Sequence, residues 1–370
     1  MNFKKGNTVF PIQETKVFAY TIPTEETESD GTLKWNHTIL ILVQLKSADM
    51  YGIGYTYANT ATAYMIKQLL FPLLKKEDVL DNTALWYKMI NQIRNLGRPG
   101  IASMAIAAVD NALWDLKAKL LNLPLCKLLG QVHQDMQVYA SGGFTSYDAD
   151  ELSTRFRKLK EVGHKMFKMK IGRNKSDDFK RLEAARETIG SAQLFVDANG
   201  AYFPKDALQM AEEMKDFNIS WFEEPVTSDD LEGMRFVREN VSHKTLVAAG
   251  EYGYDLTYFK RMLSEKAVDV LQADATRCAG ITGFIKVNSL CEAFHIPLSA
   301  HCAPALHLHP SLAMQQIIHL EYFQDHVHIE NLLFEGAPVA KNGKIAPDLS
   351  KNGMGLDFKF KDAEKYKINL

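Results

Sequence analysis

Residues 192–200 read AQLFVDANG, and residues 219–225 read ISWFEEP. Each is a short apolar, β-rich run that stops on carboxylates, Asp197 in the first and Glu223 with Glu224 in the second. A charge at the end of an apolar strand is costly to bury unless partners converge on it. The pattern extends both ways: Lys170 ends the strand in HKMFKMKIG (164–172), Glu251 ends TLVAAGE (245–251), Asp274 ends VDVLQAD (268–274) and His301 ends IPLSAH (296–301). From Lys170 to His301 the separations are 27, 26, 28, 23 and 27 residues, each about one strand-plus-helix unit. With MQVYAS (136–141) before them and HVHIEN (326–331) after, eight strand candidates alternate with amphipathic segments such as DDFKRLEAARETIG (177–190). This spacing predicts an α/β fold, a parallel (β/α)7β TIM-type barrel whose C-terminal strand ends all face one mouth. A doubly wound open sheet, the rival, would need a glycine fingerprint after its first strand, and none is present.

Before the barrel the chain has another character. TKVFAYTIP (15–23) and HTILILVQLKS (37–47) read as strands joined by a polar segment, TEETESDGTLKWN (24–36), with a turn at Asp30-Gly31. YGIGYTY (51–57) adds a short aromatic strand; its glycines lack the third glycine and the following helix of a phosphate loop. TAYMIKQLLFPLL (62–74), TALWYKMINQI (83–93) and IASMAIAAVDNALWDLKAKLL (101–121) carry helical spacing. Residues 1–130 thus form an α+β unit, residues 131–334 the barrel, and residues 335–370 a C-terminal segment.

With 43 basic against 45 acidic residues in 370, nothing points to nucleic acid or an anionic membrane as partner; a small molecule is expected. The opening MNFKKGNTVFPIQETK lacks the apolar core of a signal peptide, and the four cysteines show no CxxC pair, which together predict a cytoplasmic protein with buried thiols.

Asp197, Glu223 and Glu251 come from three adjacent strands and offer hard oxygen donors without histidine or thiolate, a set suited to Mg²⁺ rather than zinc. For DANG alone a helix cap or a turn reads equally well; the shared register decides. Side chains alternate across a strand, so Glu223 takes the inward position and Glu224 an outer, supporting one. Lys168 and Lys170 sit two apart on one face, and each charge disfavours protonation of the other, which predicts a neutral lysine base. Across the mouth, Asp274 is placed to hydrogen-bond His301 and fix its tautomer. Two bases flanking a metal-bound carboxylate point to abstraction of the proton on the adjacent carbon. His301 shares SAHCAPALHLHP (299–310) with His307 and His309, which are read as packing or rim residues in the loop and the start of the next helix, not as metal ligands.

In order, the segment ASMAIAAVDNALWDLKAKLLNLPLCKLLG (102–130), the Lys168-x-Lys170 pair, DANGAY, WFEEP, AAGE, DVLQADATRCAGITG (269–283) and SAH resemble the enolase superfamily, and within it the mandelate racemase subgroup. The resemblance spans essentially the whole chain. Asp274 on strand six, where muconate cycloisomerase relatives carry lysine, and Glu251, where glucarate dehydratase relatives carry asparagine, favour that subgroup. QAD and CAGITG depart from it where proline and a second glycine are common.

The resemblance implies that Lys170 serves one face of the substrate and His301, paired with Asp274, the other. Lys168 would tune Lys170 and contact the substrate carboxylate, Asn199 would line the site, and Glu321 would bond the carboxylate or enediolate; composition alone would place Glu321 on the surface. The first 130 residues and the returning 335–370 segment would cap the mouth. Thr21–Asn36 and Tyr51–Thr60 would select substrate, with Trp35 and Tyr57 as binding residues and Glu25, Glu26, Glu28 and Lys34 as further candidates. The implied enzyme is a Mg²⁺-dependent dehydratase of a sugar acid or related α-hydroxy acid, working through an enediolate. The alternative is a racemase or epimerase using the same two bases. A homo-oligomer, dimer or octamer, is also implied. A non-catalytic binding barrel and a metallohydrolase are the remote rivals; the latter would use histidine ligands.

Overall fold

The computed structural model describes residues 9–370. Residues 1–8, part of the stretch read for a leader, lie outside the described residues.

Strands β4 (Met136–Ser141), β5 (Met166–Lys170), β6 (Gln193–Asp197), β7 (Ile219–Glu223), β8 (Leu246–Ala249), β9 (Val270–Ala273), β10 (Leu298–Ala300) and β11 (Ile317–Phe323) pair in parallel, and β11 returns to β4, so the barrel closes. Strand alternation fills its interior. Tyr139, Met166, Phe195, Trp221, Ala248 and Val270 form a buried cluster inside the barrel, with His319 stacked among its aromatic rings. Two residues further along the same inward faces come Ser141, Lys168, Asp197, Glu223 and Glu321, so the polar mouth sits directly on an aromatic floor.

The eighth strand is not where the sequence reading put it. HVHIEN belongs to the helix Gln324–Leu333, and β11 is the preceding IIHLEYF. Correspondingly, His307 and His309 lie within the helix Pro304–Ser311 and are fully packed, not at the rim.

Ahead of the barrel, β1 (Glu14–Ser29), β2 (Lys34–Ser47) and β3 (Met50–Tyr57) form an antiparallel sheet. The polar segment expected as a connection is mostly strand: β1 and β2 run through it with a register shift between Pro23 and Glu28, leaving a turn at residues 30–33. The sheet packs on the helix Ile101–Leu120. Gly54 permits this, because a Cβ there would lie 2.3 Å from Ala108 O and from Ala112 N. Strand packing therefore accounts for the YGIGYTY glycines.

The hairpin tip is seated on the barrel mouth. A Cβ at Gly31 would meet Ala198 O at 2.4 Å and Ile171 O at 2.7 Å, Arg173 donates to Asp30 O and Leu33 O, and Thr145 N donates to Ser29 O at 2.7 Å. After the barrel, β12 (Lys344–Ile345) adds antiparallel to β4, and β13 (Lys367–Ile368) adds antiparallel to β1. The four cysteines are buried and unpaired. No helix among the described residues is long and apolar enough to cross a membrane.

Candidate active site

The mouth brings six strand-end residues and Glu321 together. Asp197, Glu223 and Glu251 are buried, and each offers a carboxylate oxygen within 4.8 Å of the others. Glu251 Oε2 is buried without a hydrogen-bond partner. An all-oxygen donor set with an unsatisfied buried oxygen fits a hard divalent cation such as Mg²⁺ and not a thiolate- or imidazole-loving one.

On the β5 side, Lys168 Nζ lies 2.6 Å from Glu223 Oε1, 2.7 Å from Glu321 Oε1 and 3.4 Å from Asp197 Oδ2, while Lys170 Nζ pairs with Asp197. This overturns one expectation. Burial by itself lowers both ammonium pKa values, but the surrounding carboxylates outweigh it and hold both lysines above the ordinary value. Mutual repulsion alone thus does not make a neutral base; the carboxylates must first be drawn upon by another cation. The reciprocal effect appears on Asp197, which burial would raise but Lys170 and Lys168 hold down to about 2. Burial and Asp197 push Glu223 up against the opposing pull of Lys168.

On the β9–β10 side, His301 Nδ1 lies 2.9 Å from Asp274 Oδ2 and its Nε2 faces Glu251 Oε2 at 3.4 Å. A carboxylate accepts only from a protonated nitrogen, so Asp274 assigns the proton to Nδ1 and leaves Nε2 to exchange one. Asp274 is itself held: Oδ1 accepts from Thr276 N at 2.7 Å, and burial, which would raise its carboxyl, is outweighed by His301 and His307. His307 supports the loop instead of binding metal. Its Nε2 accepts from Ala275 N at 2.7 Å and its Nδ1 lies 2.9 Å from Cys302 O, while burial lowers its pKa. His309 Nδ1 accepts from Cys126 N.

Glu321, expected at the surface from composition, is buried at the end of β11 and takes Ser141 Oγ at 2.6 Å and Cys302 N at 2.9 Å. Glu224 is buried behind the trio at a φ of 37°, and Asn199 stands at 46° with its N donating to Asp197 Oδ1. Such left-handed backbone at non-glycine residues stores strain where strand ends turn into the mouth.

Lys170, Asn199, Glu251, His301 and Glu321 line one cavity of about 400 Å³ with Trp35 and Tyr57 from the antiparallel sheet. Tyr57 stacks on His326 with ring centroids 3.6 Å apart, and Trp35 Nε1 donates to Glu28 Oε2 at 3.0 Å. The other hairpin candidates are not brought to this cavity. Glu25 and Glu26 pair with Arg155, Lys34 is exposed, and Glu28 faces Trp35 from behind.

Sequence reasoning passed over Arg277, whose guanidinium reaches Glu251 Oε1 at 3.3 Å and Asp274 Oδ2 at 3.8 Å, and Ser141, which pairs in register with Lys168. Both carried a signal: Arg277 follows Asp274 by three residues, and Ser141 ends the first barrel strand as Lys170 ends the second.

Residues 26–130 match the mandelate racemase/muconate lactonizing enzyme N-terminal domain, and residues 151–363 match the enolase C-terminal domain-like family. The L-talarate/galactarate dehydratase of Salmonella typhimurium is 34% identical over 314 residues, covering 83% of this chain and 77% of the relative. Its structure with Mg and L-lyxarohydroxamate superposes with a TM-score of 0.89 at 28% identity, over 100% of this chain and 96% of that one. The 3,6-anhydro-α-L-galactonate cycloisomerase of Streptomyces coelicolor is 32% identical over 353 residues, 93% of this chain and 96% of the relative. A mandelate racemase/muconate lactonizing enzyme-like protein from Rubrobacter xylanophilus superposes with a TM-score of 0.95 at 44% identity, over 97% of this chain and 100% of that one. The closed barrel with carboxylates at consecutive strand ends, the antiparallel sheet above it and these matches over both halves agree: the chain belongs to the mandelate racemase/muconate lactonizing enzyme family of the enolase superfamily.

Proposed function

We propose that the protein is a Mg²⁺-dependent dehydratase of a sugar acid or related α-hydroxy acid. The observation that carries this reading is the carboxylate trio flanked by Lys170 at its Asp197 end and by the Asp274–His301 pair at its Glu251 end. Asp197, Glu223 and Glu251 would hold the cation. When bound, Mg²⁺ supplies fixed positive charge beside the substrate carboxylate.

The chain's own residues supply the rest. Lys170 Nζ takes the α-proton, and the electron pair it leaves moves into the carboxylate, where the Lys168 ammonium opposes the added charge. His301, as an imidazolium whose Nδ1–H is held by Asp274, then gives its Nε2 proton to the β-hydroxyl as the C–O bond breaks and water leaves, and the resulting enol tautomerises to a 2-keto acid. Ser141 and Cys302 N fix the Glu321 carboxylate, and the aromatic floor excludes water from below. Names of the relatives, a talarate/galactarate dehydratase and an anhydrogalactonate cycloisomerase, support acid sugars as the substrate class.

A racemase or epimerase is the second reading, because Lys170 and His301 line the same cavity and could remove and return a proton on opposite faces. The buried thiols support a reducing, cytoplasmic setting, and exposed apolar residues such as Tyr64, Tyr87 and Leu96 support a homo-oligomer. The test is incubation with Mg²⁺ and an acid-sugar panel in D₂O, read by keto-acid assay and NMR. A keto product lost in Lys170→Ala and in His301→Asn is expected; deuterium at the α-carbon without elimination would replace dehydration by racemisation.

A further inference from the structure

Away from Lys170, Glu251, Arg277, His301 and Glu321, the cavity is walled by Leu33, Trp35, Ile39, Tyr57 and Phe323, with Asp30 and Asp325 as its further carboxyls. Asp325 does not stand alone. It shares the Trp35 indole N–H with Glu28, at 3.4 Å and 3.0 Å respectively, and the two buried carboxyls are close enough to hydrogen-bond each other. Burial and Asp325 push the Glu28 carboxyl up to about 10, and burial raises the Asp325 carboxyl as well.

The cations lining the cavity all stand at its reacting end, beside the carboxylate trio and Asp274. Lys170 is committed to Asp197 and Arg277 to Glu251 and Asp274, while His301 is held by Asp274. His326 Nδ1 accepts from Ala303 N, and burial lowers its pKa to about 3, so it is neutral. His37 is exposed, with Nδ1 turned to Asn36 Oδ1. The guanidinium of Arg155 lines an adjoining cavity of about 530 Å³, which shares Thr38 and Asp325 with this one, and is tied to Glu26 and Glu151. Two neutral groups, in contrast, are free: Tyr57 Oη and Asn199 Oδ1 are buried, line the cavity and have no hydrogen-bond partner.

We propose that the substrate is a monocarboxylate whose far end is uncharged and hydroxylated, as in an aldonate, and that the dicarboxylate of the same configuration is rejected. The inference rests on the acid-sugar reading above. A second carboxylate at the far end would lose its water among apolar side chains, leave the cavity's cations behind at the reacting end and meet the carboxyls of Asp30 and Asp325. A hydroxyl tail instead donates to Asp325 and to Asn199 Oδ1 and accepts from Tyr57 Oη, satisfying atoms that otherwise stay unpaired.

The experiment compares five- and six-carbon aldonates, each with its matching aldarate, on the Mg²⁺-loaded enzyme. Calorimetric binding and keto-acid release in D₂O are both measured. Each aldonate is expected to be favoured by at least about a hundredfold, and Asp325→Asn to narrow that ratio by about tenfold. Tyr57→Phe should weaken aldonate binding by about tenfold and leave Mg²⁺ binding unchanged, which keeps a variant in hand if Asp325→Asn fails to fold. An aldarate bound or turned over as well as its aldonate overturns the inference. Aldonate-selective binding with neither keto acid nor deuterium exchange overturns the dehydratase reading and keeps the charge inference. No binding of any acid overturns both.

Discussion

Asp274 reaches the substrate only through His301. It holds Nδ1 of the imidazole at 2.9 Å and is itself pinned by Thr276 N, so an amide in its place would keep the shape and lose the preference for one tautomer. Asp274→Asn is expected to lower kcat by about 10²- to 10⁴-fold with thermal unfolding nearly unchanged, measured by steady-state kinetics beside calorimetry. Glu251→Gln removes a carboxylate of the trio and should weaken Mg²⁺ binding by at least about tenfold, read by titration calorimetry without any substrate. These residues were legible because each puts a charge at the end of an apolar run, at one repeating interval. Glu321 was not, since it belongs to a strand whose inward positions, His319 and Glu321, are both polar and gave no apolar alternation to count. The lysine pair was placed correctly and its electrostatics misjudged: sequence shows two like charges side by side, while the decisive carboxylates arrive from strands 27 and 53 residues later at Asp197 and Glu223, and from Glu321.

At the level of elements, the seven strands read correctly are short, mainly apolar runs whose polar residues gather at the C-terminal end, as parallel strands covered by helices allow. HVHIEN misled because its Val and Ile fall at strand spacing. In the helix Gln324–Leu333 the buried face is instead built from Asp325, His326, Ile329, Glu330 and Leu333, and its polar members are matched by Trp35 Nε1, Ala303 N, Ala305 N and Tyr55 Oη. A helix that buries bonded polar groups has no apolar stripe to detect. The hairpin was missed for a related reason: its extended backbone runs through charged residues, Glu25 and Glu26 turned to Arg155 and Glu28 buried against Trp35 Nε1. In the same sheet Gly54→Ala is expected to destabilise the protein by about 1–3 kcal/mol, seen as a lower midpoint in denaturant, because its methyl group would press on the backbone of the Ile101–Leu120 helix.

Across the whole molecule, barrel and antiparallel sheet are joined by buried carboxyls. Glu330 takes Tyr55 Oη at 2.6 Å and Ala305 N at 3.1 Å, and Asp110 takes Thr282 N at 2.8 Å. Burial pushes Glu330 from 4.5 up to about 8 and Asp110 from 3.8 up to about 7. The folded state therefore keeps protons that the unfolded chain releases above its own carboxyl values. That contribution to stability is full below about pH 4 and is gone once pH has risen through the folded values, so the melting temperature should fall between about pH 4 and about 8 and level off above. Glu330→Gln, which cannot ionise, is expected to flatten the decline; an unaltered slope in calorimetry across that range would contradict it.

The pairing of Ala19 with Ile368 and of Tyr20 with Lys367 sets a schedule for biosynthesis. The first sheet to leave the ribosome waits for an edge strand made only after the entire barrel, so the nascent chain carries β1 with one side open through most of translation. During that interval the hairpin can settle only on barrel strands that have already emerged. The seat of the hairpin tip, at Thr145, Ile171, Arg173 and Ala198, is complete once the third barrel strand has emerged, whereas the outer edge of β1 at Ala19 and Tyr20 stays open until residues 367–368 are made.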